Sequence, residues 1–290
     1  MHKTLYNAFQ MDFQITPKGP LLIKSGLMSP NPSLPDMQFV RTQTANGETV
    51  YIPGSSLKGV FRSFCERILR TNGKEACEPF PGHSCARDFT ERDASWDIYK
   101  KSCLTCKIYG NTRLRGRLSF TDVLPNSPVQ TEVRYGVAIS RQKGSVAVGP
   151  FEMESVIAGS FRGSFILQNF ETWQLGLIAL TIDALNQGLV AIGFGKNRGF
   201  GQVTFCVQQF FVEMPKRCSI PSDQILGVGA LMPQTDRQSY GLKAQDRITG
   251  VPPLKEQDRI LFVRREYEGN QWREFARKAI QSLSLLEEPL

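Results

Sequence analysis

The stretch Ile192–Val203 constrains the fold more than any other, because four of its residues are glycines. It follows an amphipathic helical pattern at Trp173–Leu189 and leads into alternating apolar residues that predict a strand at Val203–Val212. Glycines let the backbone approach a ligand closely, and Lys196 and Arg198 lie among them. No Gly-Lys-Ser/Thr ends the stretch and no helical pattern follows it, so neither a Walker loop nor a dinucleotide fingerprint fits. A hairpin or glycine-rich loop against the backbone of a polyanion fits better.

A second stretch, Tyr51–Arg62, combines a Pro-Gly turn, two serines and the start of a helix. Apolar residues then recur at steps of three and four, at Leu57, Val60, Phe61, Phe64, Ile68 and Leu69. Ser55 or Ser56 is expected to cap this helix with its hydroxyl. Free N–H groups, hydroxyls and Lys58 at a helix start suit a phosphate, although an ordinary capped helix explains the same residues.

The positive charge is unevenly distributed along the chain. Residues 219–290 contain equal numbers of cationic and anionic side chains, so the whole net charge of +8 lies in residues 1–218. A basic surplus in the region that carries both motifs suits a nucleic-acid partner. The sequence lacks a membrane-length apolar run and a signal-peptide pattern, which predicts no membrane partner and a cytoplasmic location.

Residues 71–116 form a predicted insertion after the first helix. It holds four cysteines in the pattern C-x7-C-x17-C-x2-C, namely Cys77, Cys85, Cys103 and Cys106. The final pair has good chelating spacing, which predicts a structural zinc; His83 could replace either member of the looser first pair. Free buried thiols are the alternative. Four basic residues follow closely and suit either a phosphate track or a solvated basic loop: Lys107, Arg113, Arg115 and Arg117.

The element order predicts an α+β fold. Strands are expected near Leu5–Ile15, Leu118–Val123, Phe165–Leu167 and Val203–Val212, with the two helices between them, which gives the order β-α-β-β-α-β of a ferredoxin-like sheet. Two alternating arms within residues 130–165 flank a glycine-containing tip and predict a long hairpin. In the tail, Ile260–Val263 is a candidate strand and Trp272–Leu286 a candidate amphipathic helix, which could dock on the core or on a neighbouring subunit.

Together the two motifs resemble those of the RAMP superfamily of CRISPR RNA-binding proteins, over residues 5–215. Ile52–Gly59 resembles the first-helix signature of the backbone subunits of type III effector complexes, and the glycine-rich stretch resembles the superfamily's signature motif. The resemblance implies a ferredoxin-like (RRM-like) RAMP domain at 1–218, with a zinc-knuckle insertion at 71–116 and a hairpin thumb at 130–165. Residues 219–290 would be a C-terminal extension.

The resemblance also implies a role in antiviral defence. The chain would bind the guide CRISPR RNA, engage target RNA through its thumb, and contact other effector subunits, including neighbouring RAMP backbone subunits. In this family the thumb wedges into the guide–target duplex, and Val146, Val148 or Phe151 could serve in that role. The expected RNA-binding residues are Arg41, Ser55, Ser56, Lys58, Arg62, Phe151, Lys196, Asn197 and Arg198.

Catalysis is expected to depend on a carboxylate. The only histidines are His2 and His83, so a two-histidine ribonuclease is disfavoured, as is a serine or cysteine triad. Asp36, delivered by a proline-rich loop at 17–35, matches an Asp of the type III backbone subunits that lies upstream of a Val-Arg pair. The resemblance implies metal-dependent cleavage of target RNA through Asp36, with magnesium as the ion.

Two other interpretations compete with the catalytic one. In the first, the chain is a backbone subunit that only binds, and Asp36 is a turn-forming residue after Pro35. In the second, it is a single-copy scaffold whose tail and zinc knuckle join subunits.

Overall fold

The computed structural model describes residues 3–26, 34–45, 47–78, 80 and 82–286. The predictions for His2 and for residues 27–33 of the proline-rich loop fall outside the described residues. The strands are β1 (Ala8–Pro17), β2 (Arg41–Thr44), β3 (Gly47–Val50), β4 (Leu118–Phe120), β5 (Leu124–Pro125), β6 (Gln130–Ile139), β7 (Val146–Ala158), β8 (Phe161–Gln168), β9 (Val203–Pro215), β10 (Gln224–Leu226), β11 (Arg247–Thr249), β12 (Lys255–Asp258) and β13 (Phe262–Glu268). The helices are α1 (Gly54–Thr71), α2 (Ser95–Lys101), α3 (Leu104–Tyr109), α4 (Thr172–Asn186), α5 (Val228–Leu231), α6 (Gln234–Tyr240) and α7 (Trp272–Gln281).

The central sheet is antiparallel and seven-stranded, in the order β12-β13-β9-β1-β8-β4, with β5 also paired to β8. Its four strands β9-β1-β8-β4 are the fourth, first, third and second strands of the predicted β-α-β-β-α-β unit. This is the strand order of a ferredoxin-like domain, in which each helix crosses over one face of the sheet. The α+β, ferredoxin-like fold expected from the sequence is therefore confirmed.

One face of the sheet is apolar because the side chains of β1 alternate between buried and half-buried positions. The buried set is Phe9, Met11, Phe13 and Ile15. Helix α1 covers this face through Phe61, whose ring centroid lies 5.1 Å from that of Phe120 and 6.2 Å from that of Phe205. Helix α4 lies beside α1, with the Cys65 sulfur 3.6 Å from the Thr181 hydroxyl. The two helices thus share one face of the sheet.

Helix α4 is buried almost all the way round, whereas its sequence pattern predicts a single apolar face. The reason is that α7 packs on its outer side. Gly176 makes this possible, since a Cβ there would lie 2.5 Å from the carbonyl oxygen of Ala279. From the same tail, β13 pairs with β9, and the Tyr267 ring stacks on Phe210 at 4.7 Å. Residues 219–286 therefore extend the sheet and the core.

The tail strand begins later than the sequence pattern indicates. Ile260 and Leu261 lie in the turn between β12 and β13, where they are 95% and 71% exposed. Strand β13 starts at Phe262.

None of the helices in the described ranges has the length and apolar character that a bilayer span requires.

The predicted hairpin consists of β6 and β7, which pair with each other and form a separate two-stranded sheet. From its base to its tip it exposes six large apolar side chains: Val133, Tyr135, Val137, Ile139, Val146 and Val148. Its base is held by the segment after β1. Leu21 and Val156 exchange two backbone hydrogen bonds of 2.9 and 2.8 Å, and Met37 N–H donates to the Glu152 carbonyl at 2.9 Å. The hairpin therefore projects from a base that also carries Asp36.

Candidate nucleic-acid interface and metal centre

Helix α1 begins at Gly54, and the expectation that Ser55 or Ser56 caps it is wrong. The N-cap is Pro53, and both serines lie within the first turn. Ile52 and Val123 exchange backbone hydrogen bonds, which brings the Asp122 carboxylate to within 2.9 Å of the Gly54 N–H. The Asp122 carboxylate thus accepts a hydrogen bond from one of the N–H groups that a phosphate was expected to use. Anion binding at this helix start therefore depends more on side chains.

Lys58 and Arg62 lie on the side of α1 that faces the insertion. Burial, and then the guanidinium of Arg62, lower the pKa of Lys58. No described carboxylate pairs with Lys58. Arg62 is fully engaged, because it donates to Glu66 at 2.9 Å, to the Gly110 carbonyl at 2.9 Å and to the Cys106 sulfur at 3.7 Å. Of these two predicted RNA-binding cations, Lys58 is available for a phosphate and Arg62 joins the helix to the insertion.

The glycine-rich stretch forms a loop around a 3-10 turn at Lys196–Arg198. All four of its glycines have φ between 71° and 81°, in the left-handed region. Gly201 is also tightly packed, since a Cβ there would lie 1.9 Å from the Ile192 carbonyl oxygen. The Phe194 and Gly201 N–H groups donate to carbonyls of the segment after β1, at 2.7 and 2.8 Å. The loop is anchored at both ends, and its three polar residues are exposed.

This loop contacts both α1 and the hairpin. Partial burial, and then the guanidinium of Arg67 on α1, lower the pKa of Lys196. The Arg134 guanidinium, at the base of the hairpin, lies 5.8 Å from the centroid of the Phe200 ring. Lys196 of the loop thus lies near Arg67 of α1, and the base of the hairpin approaches the same loop.

Between the two cationic sides of α1 runs a strip of small exposed residues, Ser55, Gly59 and Ser63. Their spacing of four residues places them on one face of the helix. Lys58 and Arg62 flank this strip on the insertion side, and Arg67 with Lys196 flanks it on the loop side. We call this surface the α1 groove. The sequence patterns missed Ser63 and Arg67, although the four-residue spacing of the small residues was a readable signal.

At the base of the hairpin, Asp36 is exposed and its Oδ2 accepts a hydrogen bond of 2.9 Å from the Glu152 N–H. Arg41 is engaged nearby in a two-point ion pair with Glu154, at 2.9 and 2.5 Å. Although burial opposes it, this pair and the Phe39 N–H lower the pKa of Glu154. Arg41 therefore fixes the hairpin to the preceding loop, an arrangement that the sequence did not reveal because Glu154 is distant along the chain.

Phe151 lies on the hairpin opposite Gly136 and is half-buried. A Cβ at position 136 would lie 2.6 Å from the Phe151 ring, so the glycine leaves room for that ring against the hairpin itself. The tip residues Val146 and Val148 are exposed, in contrast. They present more apolar surface to a partner than Phe151 does.

The four cysteines of the insertion come together. The sulfur atoms of Cys77, Cys85, Cys103 and Cys106 all lie within 4.8 Å of one another. Zinc–sulfur bonds of about 2.3 Å place the sulfurs of a tetrahedral site about 3.8 Å apart, so this cluster has the dimensions of a metal centre. His83 is not a member of it. Within the described ranges this is the one cluster of three or more side chains that could ligate a metal. Asp36 is therefore not part of any such cluster there.

The basic residues that follow the cluster do not form a continuous surface track. Arg117 is only 3% exposed; it lies 4.1 Å from the Tyr99 ring centroid and 3.7 Å from Glu171. The Lys107 ammonium lies 5.3 Å from the same ring, and burial lowers its pKa. The phosphate-track interpretation is thus wrong for Arg117, because a tyrosine and a glutamate enclose its charge.

Comparison with known proteins agrees with this geometry. The family model of the RAMP superfamily matches residues 14–204, which include the end of β1, all of α1, the insertion, the hairpin and the glycine loop. A comparison with curated proteins gives no match. The chain therefore belongs to the RAMP superfamily, and membership implies an RNA-binding subunit associated with CRISPR.

Proposed function

We propose that this chain is a backbone subunit of a type III CRISPR effector complex, and that it binds the guide RNA along the α1 groove. The groove carries the proposal, because cations flank a strip of small residues that leaves room for a sugar–phosphate backbone. Lys58 and Lys196 each lie beside an arginine and have no carboxylate partner among the described residues. Burial, and then the neighbouring arginine, lower the pKa of both lysines, and a bound phosphate would oppose both effects by favouring the charged ammonium.

The extension and the hairpin supply surfaces for other partners of the complex. The six exposed apolar residues of the hairpin are more than a monomer needs, and they suit the bases of a guide–target duplex or a neighbouring RAMP subunit. The proposed ion of the cysteine cluster is zinc, which would be held by Cys77, Cys85, Cys103 and Cys106. Its role is structural, because four protein ligands leave no open position for chemistry.

The binding proposal is tested with a double substitution, Lys58→Glu and Arg198→Glu, in the full chain. Binding to single-stranded RNA of several sequences is measured between low and moderate salt. Affinity should fall for every sequence, and the slope of log K against log salt should shrink by about 0.7 for each phosphate that the variant no longer neutralises. Arg162→Glu is the control, since Arg162 is exposed on the sheet face away from α1. A reduction confined to one RNA sequence would contradict the proposal.

Cleavage of target RNA is a second proposed activity, favoured by the exposure of Asp36 at the hairpin base. One carboxylate oxygen accepts the Glu152 N–H, which fixes the group, and the other has no partner within the described residues. That oxygen could orient or deprotonate the ribose 2′-hydroxyl that attacks the adjacent phosphate. A magnesium ion there would be held by Asp36 together with RNA phosphates and water, because Asp36 belongs to no group of three or more metal-ligating side chains in the described ranges.

A further inference from the structure

A cleft of about 360 Å³ lies between α1, the segment that follows α4, and the glycine loop. It opens on the loop side of the α1 groove and shares Arg67 and Lys196 with it. Pockets that hold small ligands start at roughly 300 Å³, so the space suits one nucleotide better than a larger ligand.

The two walls of the cleft differ in character. One wall is aliphatic and includes Val60 of α1 and Leu189. Leu189 is 67% exposed although its backbone is fixed, since its N–H donates to the Ala184 carbonyl at 2.9 Å just after the end of α4. An exposed aliphatic side chain on a hydrogen-bonded backbone, beside cations, offers an apolar surface that a nucleobase can cover.

The other wall is polar and cationic, with Ser63, Arg67, Lys196 and Gln202. The described residues that line the cleft include no carboxylate, so its charge is uncompensated. Arg67 and Lys196 belong to different segments, and each approaches the other without an intervening anion. A phosphate between them would be bound by both.

Gln202 adds a group that can distinguish one base from another. Its side chain is exposed, and its carboxamide makes no hydrogen bond within the described part of the chain. A Cβ on Gly188 would lie 3.7 Å from its Nε2, which places the carboxamide beside the aliphatic wall. A carboxamide both donates and accepts, so it can pair with the polar edge of an unstacked base.

We infer that this cleft binds one nucleotide of single-stranded RNA, with the base against Val60 and Leu189 and the phosphate between Arg67 and Lys196. Gln202 contacts the edge of the base. The inference rests on the proposed guide-RNA function and assigns it a second contact, at which one base leaves the stack and is held apart from its neighbours.

The test uses the full chain and short single-stranded RNA homopolymers in an equilibrium binding assay. Leu189→Asp should weaken RNA binding about tenfold, equivalent to about 1.4 kcal/mol. Arg67→Glu should weaken binding and also reduce the salt slope by about 0.7. Gln202→Leu should change the order of preference among the homopolymers. Leu254→Asp is the matched control for Leu189, because Leu254 is similarly exposed on the extension, and it should have no effect.

The outcomes separate this inference from the function on which it rests. Arg67 borders both the α1 groove and the cleft, so the two variants that belong to the cleft alone decide between them. If Lys58→Glu with Arg198→Glu weakens RNA binding but Leu189→Asp and Gln202→Leu bind as wild type, the cleft is not a nucleotide site and the groove remains. If the wild type binds no RNA, or the double variant Lys58→Glu with Arg198→Glu binds RNA as wild type does, the proposed function itself is wrong. Adenosine and uridine monophosphates are tested alone. They should bind at least a hundredfold more weakly than RNA, and tighter binding would identify a free-nucleotide site instead.

Discussion

Arg62 donates a hydrogen bond to the sulfur of Cys106 across 3.7 Å, so a side chain of the α1 groove directly contacts the cysteine cluster. Its other donors reach Glu66 and the Gly110 carbonyl. Four thiolates around a divalent ion carry a net negative charge, and a guanidinium beside them compensates part of it. The groove and the metal centre are therefore coupled through one residue.

The first prediction concerns the metal. Elemental analysis of the purified chain should find one zinc per chain, and replacing Cys103 and Cys106 with serine should remove it, because the site then keeps only two of its four thiolate ligands. Cys218→Ser is the control, since Cys218 is an exposed thiol outside the cluster. Thermal unfolding of the chelated protein should occur at lower temperature, since metal binding contributes to folding. A wild type that is metal-free and equally stable would refute the assignment.

The second prediction concerns Arg62→Gln. The substitution removes the charge that faces Cys106, and removal of such an outer partner typically costs about 10- to 100-fold in metal affinity. Competition with a chromophoric zinc chelator measures the change. Arg67→Gln, on the opposite side of α1, should leave zinc affinity unaltered. Equal zinc affinity in the Arg62 variant and the wild type would show that the hydrogen bond to Cys106 has no energetic role.

The third prediction compares two glycines of the same loop. Gly201→Ala should destabilise the fold strongly, because its Cβ would collide with the Ile192 carbonyl and φ is +80°. Gly199→Ala, at φ +81° with no atom within 4 Å, should cost only the left-handed backbone strain of about 1–2 kcal/mol. Urea unfolding of both variants measures the difference. Equal destabilisation would mean that close packing of Gly201 does not anchor the loop.

The fold was predictable to the extent that it depends on local pattern. Alternation in β1 and β9, the helical spacing of α1 and the cysteine spacing led to the right sheet and the right cluster. Long-range partners were not predictable. The helix-start interaction of Asp122 and the ion pair between Arg41 and Glu154 join residues far apart in sequence. The all-round burial of α4 likewise depends on α7, whose docking no local pattern specifies.

The fourth prediction concerns pH. Burial, and then the charge of Glu171, raise the pKa of Asp246 to about 7, although Thr172 and Gly229 donate hydrogen bonds to it. In the unfolded chain an aspartate has a pKa of about 3.9. Between these values the native state binds the extra proton, so the Asp246 contribution to the free energy of unfolding falls as pH rises from about 4 to 7.

Asp246→Asn removes this titration, and urea unfolding at several pH values measures it. The variant should show a flatter dependence of stability on pH over that interval than the wild type. It should also be less stable overall, because a carboxamide cannot accept the hydrogen bonds of both Thr172 and Gly229 as a carboxylate does. An unchanged pH profile would place the titration elsewhere.

The last prediction concerns Asp36 in the assembled complex with magnesium. Asp36→Ala should abolish target-RNA cleavage at the position of this subunit while guide binding and assembly persist, because Asp36 is exposed and its loss removes no buried side chain. The substitution also removes the hydrogen bond from the Glu152 N–H, and the loss of such a bond typically lowers the free energy of unfolding by about 1 kcal/mol. Asp36→Asn separates chemistry from position, since its carbonyl oxygen can still accept that N–H while its charge is removed. If the asparagine variant cleaves as wild type does, the residue only shapes the loop. If the wild type never cuts there, the subunit binds RNA without cleaving it.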